Sequence, residues 1–376
     1  MSCYLDSAAT TSLTTEMKEY LASALDIFGN PSSTHSEGIK SKRLIEEVRK
    51  KVARFIKADN SENVYFTSSG SASNTLGIQG YALANKCNVL YSPTSHKSIL
   101  KTIDNLAQFY KVAAYELEVD NRGNIDIDCI KQVLSRSNEN WLVVVEYANS
   151  ETGTIQDIKA ISDIVHEYGG KLFMDCTGSI STIPLDVVGM GIDIATFSAH
   201  KINALKGVGV LYKEAAIAMI PLVFGSQEQG LFGGTENVFG ILSLGKAIDL
   251  MNYNKTSHNR DFVWNAIKGT EGISLVGAPL DKNRLLNNLY VCAKGVKGSD
   301  VVALMDDIYK IQISTGSACN NGSLSPSSIA LAIGLSEEDA NSCVRISFSG
   351  NETEDELKEF CKSFSTCIKM LRDLND

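Results

Sequence analysis

The chain has 376 residues, 44% of them hydrophobic, and its 35 Lys and Arg against 44 Asp and Glu give a net charge of −9. A chain of this length is too long to fold around one simple hydrophobic core, so we expect two domains. The sequence has no basic run and no apolar run of about 18 residues, which argues against nucleic-acid binding and against membrane association through a spanning helix.

The first half of the chain alternates helix and strand patterns. Residues 37–58 predict an amphipathic helix, because apolar side chains recur on roughly one face. A short strand at 64–67 then enters a turn of small polar residues at 68–74, which opens a helix at 75–86. Helices such as 158–168 interleave with later strands, so the sequence predicts an α/β domain with a largely parallel sheet. These later strands are predicted at 88–91, 112–115, 141–146, 171–174, 192–197 and 209–212.

The pattern changes beyond about residue 250. Short strands are predicted at 289–292, 311–314 and 344–348, and helices at 300–305, 327–333 and 353–371. This mixture indicates a second, smaller α+β domain.

Two polar residues stand at the ends of apolar strands. Asp175 ends one of them, and Lys201 closes Ser198-Ala199-His200-Lys201 after the strand at 192–197. A lysine beside a histidine is usually part of a solvated loop, but the strand-end aspartate upstream favours a pyridoxal phosphate (PLP) enzyme. The lysine would form the Schiff base, and the aspartate would keep the pyridinium nitrogen protonated.

The turn that follows the strand at 64–67 consists of small residues. Its backbone N–H groups and the start of the next helix can bind a phosphate. Gly70 lets the backbone approach closely, and Ser71 adds a hydroxyl donor. Such a turn alone is usually an ordinary loop, but together with Lys201 and Asp175 it is the predicted phosphate site of the cofactor.

Two further residues suggest the substrate and the chemistry. Arg345 lies among apolar residues in the strand at 344–348, so it needs an anionic partner, either a substrate carboxylate or an internal acid. Cys319 lies in a loop of small and polar residues, 316–326, where an exposed thiol can ionise and attack.

The other cysteines and the N-terminus bear on the location of the protein. Most of these cysteines stand in apolar or helical contexts, and no pair among the nine has metal-ligand spacing. Residues 1–6 do not resemble a signal peptide. We therefore expect reduced thiols, no metal site and a cytoplasmic protein.

Several segments share their order and spacing with one known family. They resemble the class V aminotransferase family and, more narrowly, NifS-like cysteine desulfurases. The resemblance extends nearly from end to end of the chain. The segments are Tyr4-Leu5-Asp6-Ser7-Ala8-Ala9-Thr10-Thr11, Gly29-Asn30-Pro31-Ser32-Ser33-Thr34-His35, Asn149-Ser150-Glu151-Thr152-Gly153, Asp175, Ser198-Ala199-His200-Lys201, Ser314-Thr315-Gly316-Ser317-Ala318-Cys319 and Val344-Arg345-Ile346-Ser347.

The resemblance implies the PLP-dependent transferase fold type I. A large domain, residues 14–252, would contain a mostly parallel seven-stranded sheet and bind the cofactor. A smaller α+β domain would combine residues 1–13 with 253–376 and carry the Cys319 loop and Arg345.

The resemblance also implies how the cofactor is held. His96 would stack on the pyridine ring and handle protons, and Ser198 and His200 would donate to the phosphate. Thr235 would reach the phosphate of the cofactor in a partner subunit, which implies a homodimer. Asn149 belongs to the residues expected to bind both the cofactor and the substrate.

The implied reaction is that of a cysteine desulfurase. Arg345 would bind the carboxylate of L-cysteine, helped by Asn149 and Asn30. Cys319 would attack the substrate sulfur, so that alanine leaves and a persulfide stays on the enzyme. A sulfur-acceptor protein would then take the sulfur, for example for iron–sulfur cluster assembly or RNA thiolation.

Some positions depart from the family pattern. Gly178 replaces a glutamine that bonds the phenolic oxygen of the cofactor, and Ser150 replaces the second of two asparagines. Gln229 and Phe232 stand where the family carries arginines, and Ala72 stands where glutamate is common. Two alternatives therefore stay open: another class V PLP aminotransferase or lyase in which the loop cysteine is incidental, or a catalytically weak relative that acts as a binding partner.

Overall fold

The computed structural model describes residues 3–136, 139–253, 257–316 and 325–374. Within these ranges no helix is both long and apolar enough to cross a membrane. The strands are β1 Cys3–Tyr4, β2 Val64–Thr67, β3 Asn88–Tyr91, β4 Ala114–Glu116, β5 Trp141–Glu146, β6 Lys171–Asp175, β7 Ile194–Ser198, β8 Gly209–Lys213, β9 Ile273–Leu275, β10 Asn288–Ala293, β11 Ile311–Gln312 and β12 Cys343–Ser347. The α-helices are α1 Thr15–Ser23, α2 Ser36–Phe55, α3 Gly70–Thr75, α4 Tyr81–Asn85, α5 Lys97–Tyr110, α6 Ile127–Leu134, α7 Ile158–Glu167, α8 Val238–Asp249, α9 Ser257–Ile267, α10 Gly298–Tyr309, α11 Ser328–Ala332, α12 Glu337–Asn341 and α13 Glu354–Asp373.

A seven-stranded sheet forms the centre of the larger part of the molecule. Its strand order is β2-β8-β7-β6-β5-β3-β4. The pairs from β7 to β4 are parallel, and β8 is antiparallel to both of its neighbours. Parallel neighbours need crossover connections, which the helices between the strands provide. The predicted α/β architecture with a mostly parallel seven-stranded sheet is thus confirmed.

Strand β5 shows that the sheet is covered on both faces. Val143 and Val145 belong to the cluster of buried side chains on one face, and Leu142 and Val144 belong to the cluster on the other face. All four side chains are fully buried. A strand covered on both faces is apolar along its length. The polar residue at the end of β5, Glu146, therefore lies where the apolar layers that cover the sheet end.

The helix after β2 starts earlier than the sequence predicts. The composition predicts a turn over 68–74, but α3 begins at Gly70 and continues through a π-helical turn, Leu76–Gly80, into α4. The hydroxyl of Ser69 caps α3, because it accepts a hydrogen bond from the backbone N–H of Ala72 at 3.1 Å. Small polar residues favour turns, and here the serine cap stabilises them as the first turn of a helix.

A second group of elements surrounds a three-stranded antiparallel sheet with the order β12-β10-β9. Side chains of α9, α10 and α13 pack with β10 and β12 in one buried cluster. Strand β1 pairs in parallel with β11, so the N-terminal segment lies against this part of the chain. The predicted strand at 311–314 is too long, because β11 ends at Gln312 and Ser314 forms only an isolated bridge to Arg345. The domain boundaries expected from the sequence stay a prediction.

Candidate active site

The carboxyl ends of four strands meet at one edge of the seven-stranded sheet. Because β3, β5, β6 and β7 are parallel neighbours, the residues that end or follow them are brought together. These residues line a cavity of about 360 Å³. Its lining includes His96, Glu146, Asp175, Ser198, His200 and Lys201.

Asp175 is the last residue of β6, and it lines the cavity. Its Oδ2 accepts a hydrogen bond from Nδ2 of Asn74 at 2.7 Å, and its Oδ1 accepts from the backbone N–H of Thr177 at 2.8 Å. Asn74 is fixed in turn, because it donates to the hydroxyl of Ser98 and accepts from that of Thr196. These hydrogen bonds fix the orientation of the buried carboxylate at the wall of the cavity.

Glu146 ends β5 directly opposite Asp175 in the register of β5 and β6. Its Oε1 accepts from the backbone N–H of His96, and its Oε2 accepts from Nδ2 of Asn149, both at 2.9 Å. Burial and the negative charge of Asp175 raise the pKa of Glu146 from 4.5 to about 8. Glu146 therefore holds its proton to a higher pH than an exposed glutamate does.

Lys201 ends a short 3-10 turn, Ala199–Lys201, directly after β7. Its Nζ lies against the N-terminal segment, where it donates to the backbone carbonyl of Ala8 and, at 3.0 Å, to that of Ala9. The amine thus has two acceptors in the N-terminal segment, and Lys201 also lines the cavity. The loop between β1 and α1 therefore positions the lysine.

His200 lies beside Lys201 in the same turn. Its Nδ1 is 3.0 Å from the hydroxyl oxygen of Thr10. Burial, together with the positive charges of Lys201 and Lys206, lowers the pKa of His200 from 6.5 to about 4. The imidazole is therefore neutral at pH 7, and it can donate a hydrogen bond from one ring nitrogen.

The start of α3 passes close to the end of β7. A Cβ atom at Gly70 would lie 3.0 Å from Cβ of Ser198, so a side chain there would have to displace its neighbour. The hydroxyl of Thr177 is 3.6 Å from the same point, and it has no hydrogen-bond partner among the described residues. A buried hydroxyl without a partner is costly. This end of the cavity therefore offers donors to an anionic group such as a phosphate.

Arg345 is buried in the middle of β12. Its Nη2 donates to Oδ1 of Asp6 at 2.8 Å, and its Nη1 donates to the backbone carbonyl of Gly316 at 3.2 Å. Within the described part of the chain, its Nε has no hydrogen-bond partner. The sequence allowed either an internal acid or a substrate carboxylate as the partner of Arg345, and the internal acid is present as Asp6. The buried Nε of the same guanidinium can still donate to a second anion.

Similarity to known proteins over nearly the whole chain decides the family. The family model described as aminotransferase class-V matches residues 3–360. The chain belongs to the class V aminotransferase family. Its fold is that of the PLP-dependent transferases of fold type I, which has a mostly parallel seven-stranded sheet.

Individual class V relatives resemble the chain over their full length. Cysteine desulfurase IscS of Dictyoglomus turgidum is 34% identical over 383 residues, which cover 99% of this chain and 96% of that protein. The X-ray structure of a NifS-like protein from Rickettsia africae matches with a TM-score of 0.89 at 28% identity and covers 98% of this chain and 100% of that one. The structure of SspA in complex with cysteine matches with a TM-score of 0.81 at 28% identity, covering 94% and 100%. The likeness is thus to whole proteins and not to one domain.

Some residues expected from the class V resemblance lie apart from the cavity lining. Asn149 is buried and donates to Glu146 instead of lining the cavity. Asn30 is exposed, and its side-chain oxygen accepts from a backbone N–H two residues on. Thr235 is exposed and lines a separate cavity of about 210 Å³. Cys319 lies outside the described residues. Arg345 is also absent from the residues that line the cavity. The roles of these five residues stay predictions, as do the roles of the residues that line the cavity.

The departures from the class V pattern are accommodated locally. A Cβ atom at Gly178 would lie 2.5 Å from the carbonyl oxygen of Ala148, so a glutamine does not fit there without a backbone shift. Phe232 packs against a buried apolar cluster, and Gln229 is exposed and donates to a backbone carbonyl. Ser150 lines the cavity. Only the departures at Gly178 and Ser150 therefore alter the cavity itself.

Two residues that line this cavity are missed by reasoning from sequence. Glu146 is a strand-end acid, and this is the same signal that identified Asp175. Asn74 follows the small residues at the start of α3, but only the tertiary contact with Asp175 reveals its role. A search for polar residues at every strand end would have found Glu146 and not Asn74.

Proposed function

We propose that this protein is a PLP-dependent cysteine desulfurase that converts L-cysteine to L-alanine and keeps the sulfur as a persulfide on Cys319. The observation that carries the proposal is that Lys201 and Asp175 line one cavity at the ends of neighbouring strands. An amine and a carboxylate in one cavity are the pair that PLP requires. The relatives named cysteine desulfurase and the NifS-like structures support the reaction class.

The residues of the cavity fit PLP at both of its ends. Gly70, Ser71 and Ser198, with the unpaired hydroxyl of Thr177, offer N–H and O–H donors for the phosphate. Asp175 offers a carboxylate for the pyridine nitrogen. When bound, PLP supplies an electron sink for the charge that develops at the substrate α-carbon.

Each protein group then has a defined task in the proposed reaction. Asp175, held by Asn74, keeps a proton on the ring nitrogen. Nζ of Lys201 attaches the cofactor and, once released, accepts and returns a proton. His96 caps α5 and lines the cavity, where its imidazole can exchange a proton with the substrate.

Arg345 is the proposed binding group for the substrate carboxylate. Its pairing with Asp6 neutralises one charge, while its buried Nε lacks a partner among the described residues. The carboxylate of L-cysteine would supply that acceptor. Asn149 and Asn30 complete the proposed carboxylate site, as the family resemblance implies.

The thiol of Cys319 is the proposed sulfur acceptor. Its thiolate attacks the substrate sulfur, so one S–S bond forms and the C–S bond breaks. The electron pair of the C–S bond stays with carbon, and a proton then completes the methyl group of alanine. No external oxidant is needed. Because Cys319 lies outside the described residues, this step rests on its small, polar sequence context.

We also propose that the protein is a homodimer with Thr235 at the subunit interface. Close to Thr235, the segment 220–224 exposes large apolar side chains, and Phe224 is 81% exposed. The backbone N–H of Gly233 donates to the carbonyl of Val223, which ties this segment to the loop of Thr235. A second copy of the chain would cover the apolar surface.

The proposal includes a cytoplasmic location and a sulfur-acceptor protein. All eight described cysteines are free thiols, which favours a reducing compartment. A persulfide is a product that must be passed on before the enzyme can turn over again, so an acceptor completes the cycle.

Incubation of the purified protein with PLP and L-cysteine tests the proposal. We expect alanine and, after digestion, one extra sulfur on the peptide that contains Cys319. Cys319→Ser should keep PLP but give neither product, because a hydroxyl is a weak nucleophile and cannot carry a persulfide. Cys129→Ser, at a partly exposed cysteine on α6, is the matched control and should retain wild-type turnover.

Other outcomes favour the alternatives. Normal turnover of cysteine by Cys319→Ser, or added sulfur on another cysteine, would favour a different class V PLP aminotransferase or lyase. The absence of PLP binding by the wild type would favour a binding partner without catalytic activity.

A further inference from the structure

Glu146 joins two turns at the cofactor end of the sheet. One of its carboxyl oxygens accepts from the N–H of His96, which follows β3, and the other accepts from Nδ2 of Asn149, which follows β5. We propose that Glu146 is a positioning residue whose carboxyl group holds the turns of His96 and Asn149 in place beside Asp175. Its relevance to catalysis rests on the proposed PLP-dependent function.

The partners of Glu146 require a side chain with two acceptors. Oδ1 of Asn149 accepts from the backbone N–H groups of Glu151 and Thr152, each at 2.9 Å, so the amide cannot rotate. Its Nδ2 must therefore point at Glu146 as a donor. The backbone N–H of His96 is also a donor. Only a carboxyl group offers an oxygen to each of them, whereas a glutamine would have to turn its NH₂ group toward one.

The protonated state of Glu146 suits its position next to Asp175. Burial and the negative charge of Asp175 raise the pKa of Glu146 to about 8. The charge of His96 and the hydrogen bonds from Asn149 and from the His96 N–H act in the opposite direction and lower this pKa. The other charged or titratable groups that line the cavity are His200, Lys201 and Lys206. With Glu146 neutral, Asp175 is the single carboxylate on this wall of the cavity among the described lining residues. A cationic ring nitrogen would therefore have one defined partner.

The same geometry gives the cofactor-free protein a pH dependence of stability. The pKa of Glu146 is raised in the folded state, so the folded protein retains a proton that the unfolded chain releases. Its contribution is complete below about pH 4.5 and is lost as the pH rises to about 8. His200 acts in the opposite direction, because its pKa is lowered to about 4 in the folded state. Only a comparison of wild type with a Glu146 variant isolates the contribution of Glu146.

Hydrogen exchange of the cofactor-free Glu146→Gln variant tests the positioning role. We expect exchange in peptides that cover 92–98 and 147–154 to become roughly threefold to tenfold faster, as for one lost hydrogen bond. Glu118→Gln, at an exposed glutamate beyond β4, is the matched control and should leave both peptides unchanged. Unchanged exchange in the two turns, or equal acceleration throughout the chain, would overturn the proposal.

Two further measurements separate a positioning role from a merely structural one. The difference in denaturant midpoint between wild type and Glu146→Gln should shrink as the pH rises from about 5 to 8, and a constant difference would contradict a protonated Glu146. The dissociation constant for PLP should rise roughly threefold to tenfold in the variant and stay unchanged in Glu118→Gln. An unchanged constant in Glu146→Gln would contradict the positioning role. Failure of the wild type to bind PLP would contradict the proposed function alone, since the exchange test uses cofactor-free protein.

Discussion

Arg345 and Asp6 stand 339 positions apart in the chain, and 2.8 Å separates Nη2 of the arginine from Oδ1 of the aspartate. The ion pair joins β12 to the N-terminal segment. Two residues further along the same segment, the backbone carbonyls of Ala8 and Ala9 accept hydrogen bonds from Nζ of Lys201. One short stretch, residues 6–9, therefore contacts both the proposed substrate arginine and the proposed cofactor lysine.

Breaking this ion pair should destabilise the protein. Asp6→Asn leaves the buried guanidinium of Arg345 without its anionic partner, and we expect a loss of about 1–3 kcal/mol in the free energy of unfolding. Urea denaturation measures this loss. Asp104→Asn breaks an exposed pair with Lys101 and should change stability by less than about 0.5 kcal/mol. An equal effect of the two substitutions would show that the buried pair contributes no more than a surface pair.

Lys201→Ala should abolish covalent attachment of PLP, because the cofactor would lose its amine. Borohydride reduction followed by measurement of the protein mass checks this outcome. Lys206→Ala removes a second amine that lines the same cavity and should keep the attachment. PLP that is still fixed by reduction in Lys201→Ala would assign its attachment to another residue.

Asp175→Asn should keep PLP and lose most of the activity. A neutral amide cannot hold the proton on the ring nitrogen, and we expect turnover of L-cysteine to fall roughly 10²–10⁴-fold. Asp186→Asn removes a carboxylate whose salt bridge with Lys57 lies on the surface, and it should retain wild-type turnover. Activity of Asp175→Asn within a few-fold of wild type would exclude the aspartate from the mechanism.

Gly178→Ala should be destabilising for a steric reason. The new Cβ atom would lie 2.5 Å from the carbonyl oxygen of Ala148, and the resulting shift should cost about 1–3 kcal/mol in thermal or chemical unfolding. Gly269→Ala is the control, because a Cβ atom there meets nothing within 4 Å. A Gly178→Ala protein as stable as wild type would show that the loop moves freely and that glutamine could also be accommodated.

Thr177→Val separates a binding role from a structural one. The hydroxyl of Thr177 has no hydrogen-bond partner among the described residues, so its removal should leave the cofactor-free protein within about 0.5 kcal/mol of wild type. If the hydroxyl donates to the phosphate, the dissociation constant for PLP should rise roughly threefold to tenfold. Titration of the variant with PLP measures this, and Thr366→Val on α13 is the control. Unchanged affinity would place the phosphate elsewhere in the cavity.

Local sequence patterns predict the strands that present the site. Strands β5, β6 and β7 are mostly apolar in their interiors, so Asp175 and the Lys201 motif stand out as polar ends. The same local reasoning fails at 68–74, where small polar residues suit either a turn or a capped helix. The cap by Ser69 stabilises the helix, and α3 packs so closely beside β7 that a Cβ atom at Gly70 would meet Ser198.

The sequence by itself determined the α/β class, the family and the residues that suit PLP chemistry, because hydrophobic period and motif depend on near neighbours in the chain. Only the tertiary structure placed Glu146 opposite Asp175, since their pairing follows from the register of two parallel strands. It also decided that Arg345 meets Asp6, since their contact depends on how the N-terminal segment packs against β12. Contacts between residues that are distant in the sequence depend on how whole helices and strands pack, so a local sequence pattern does not predict them.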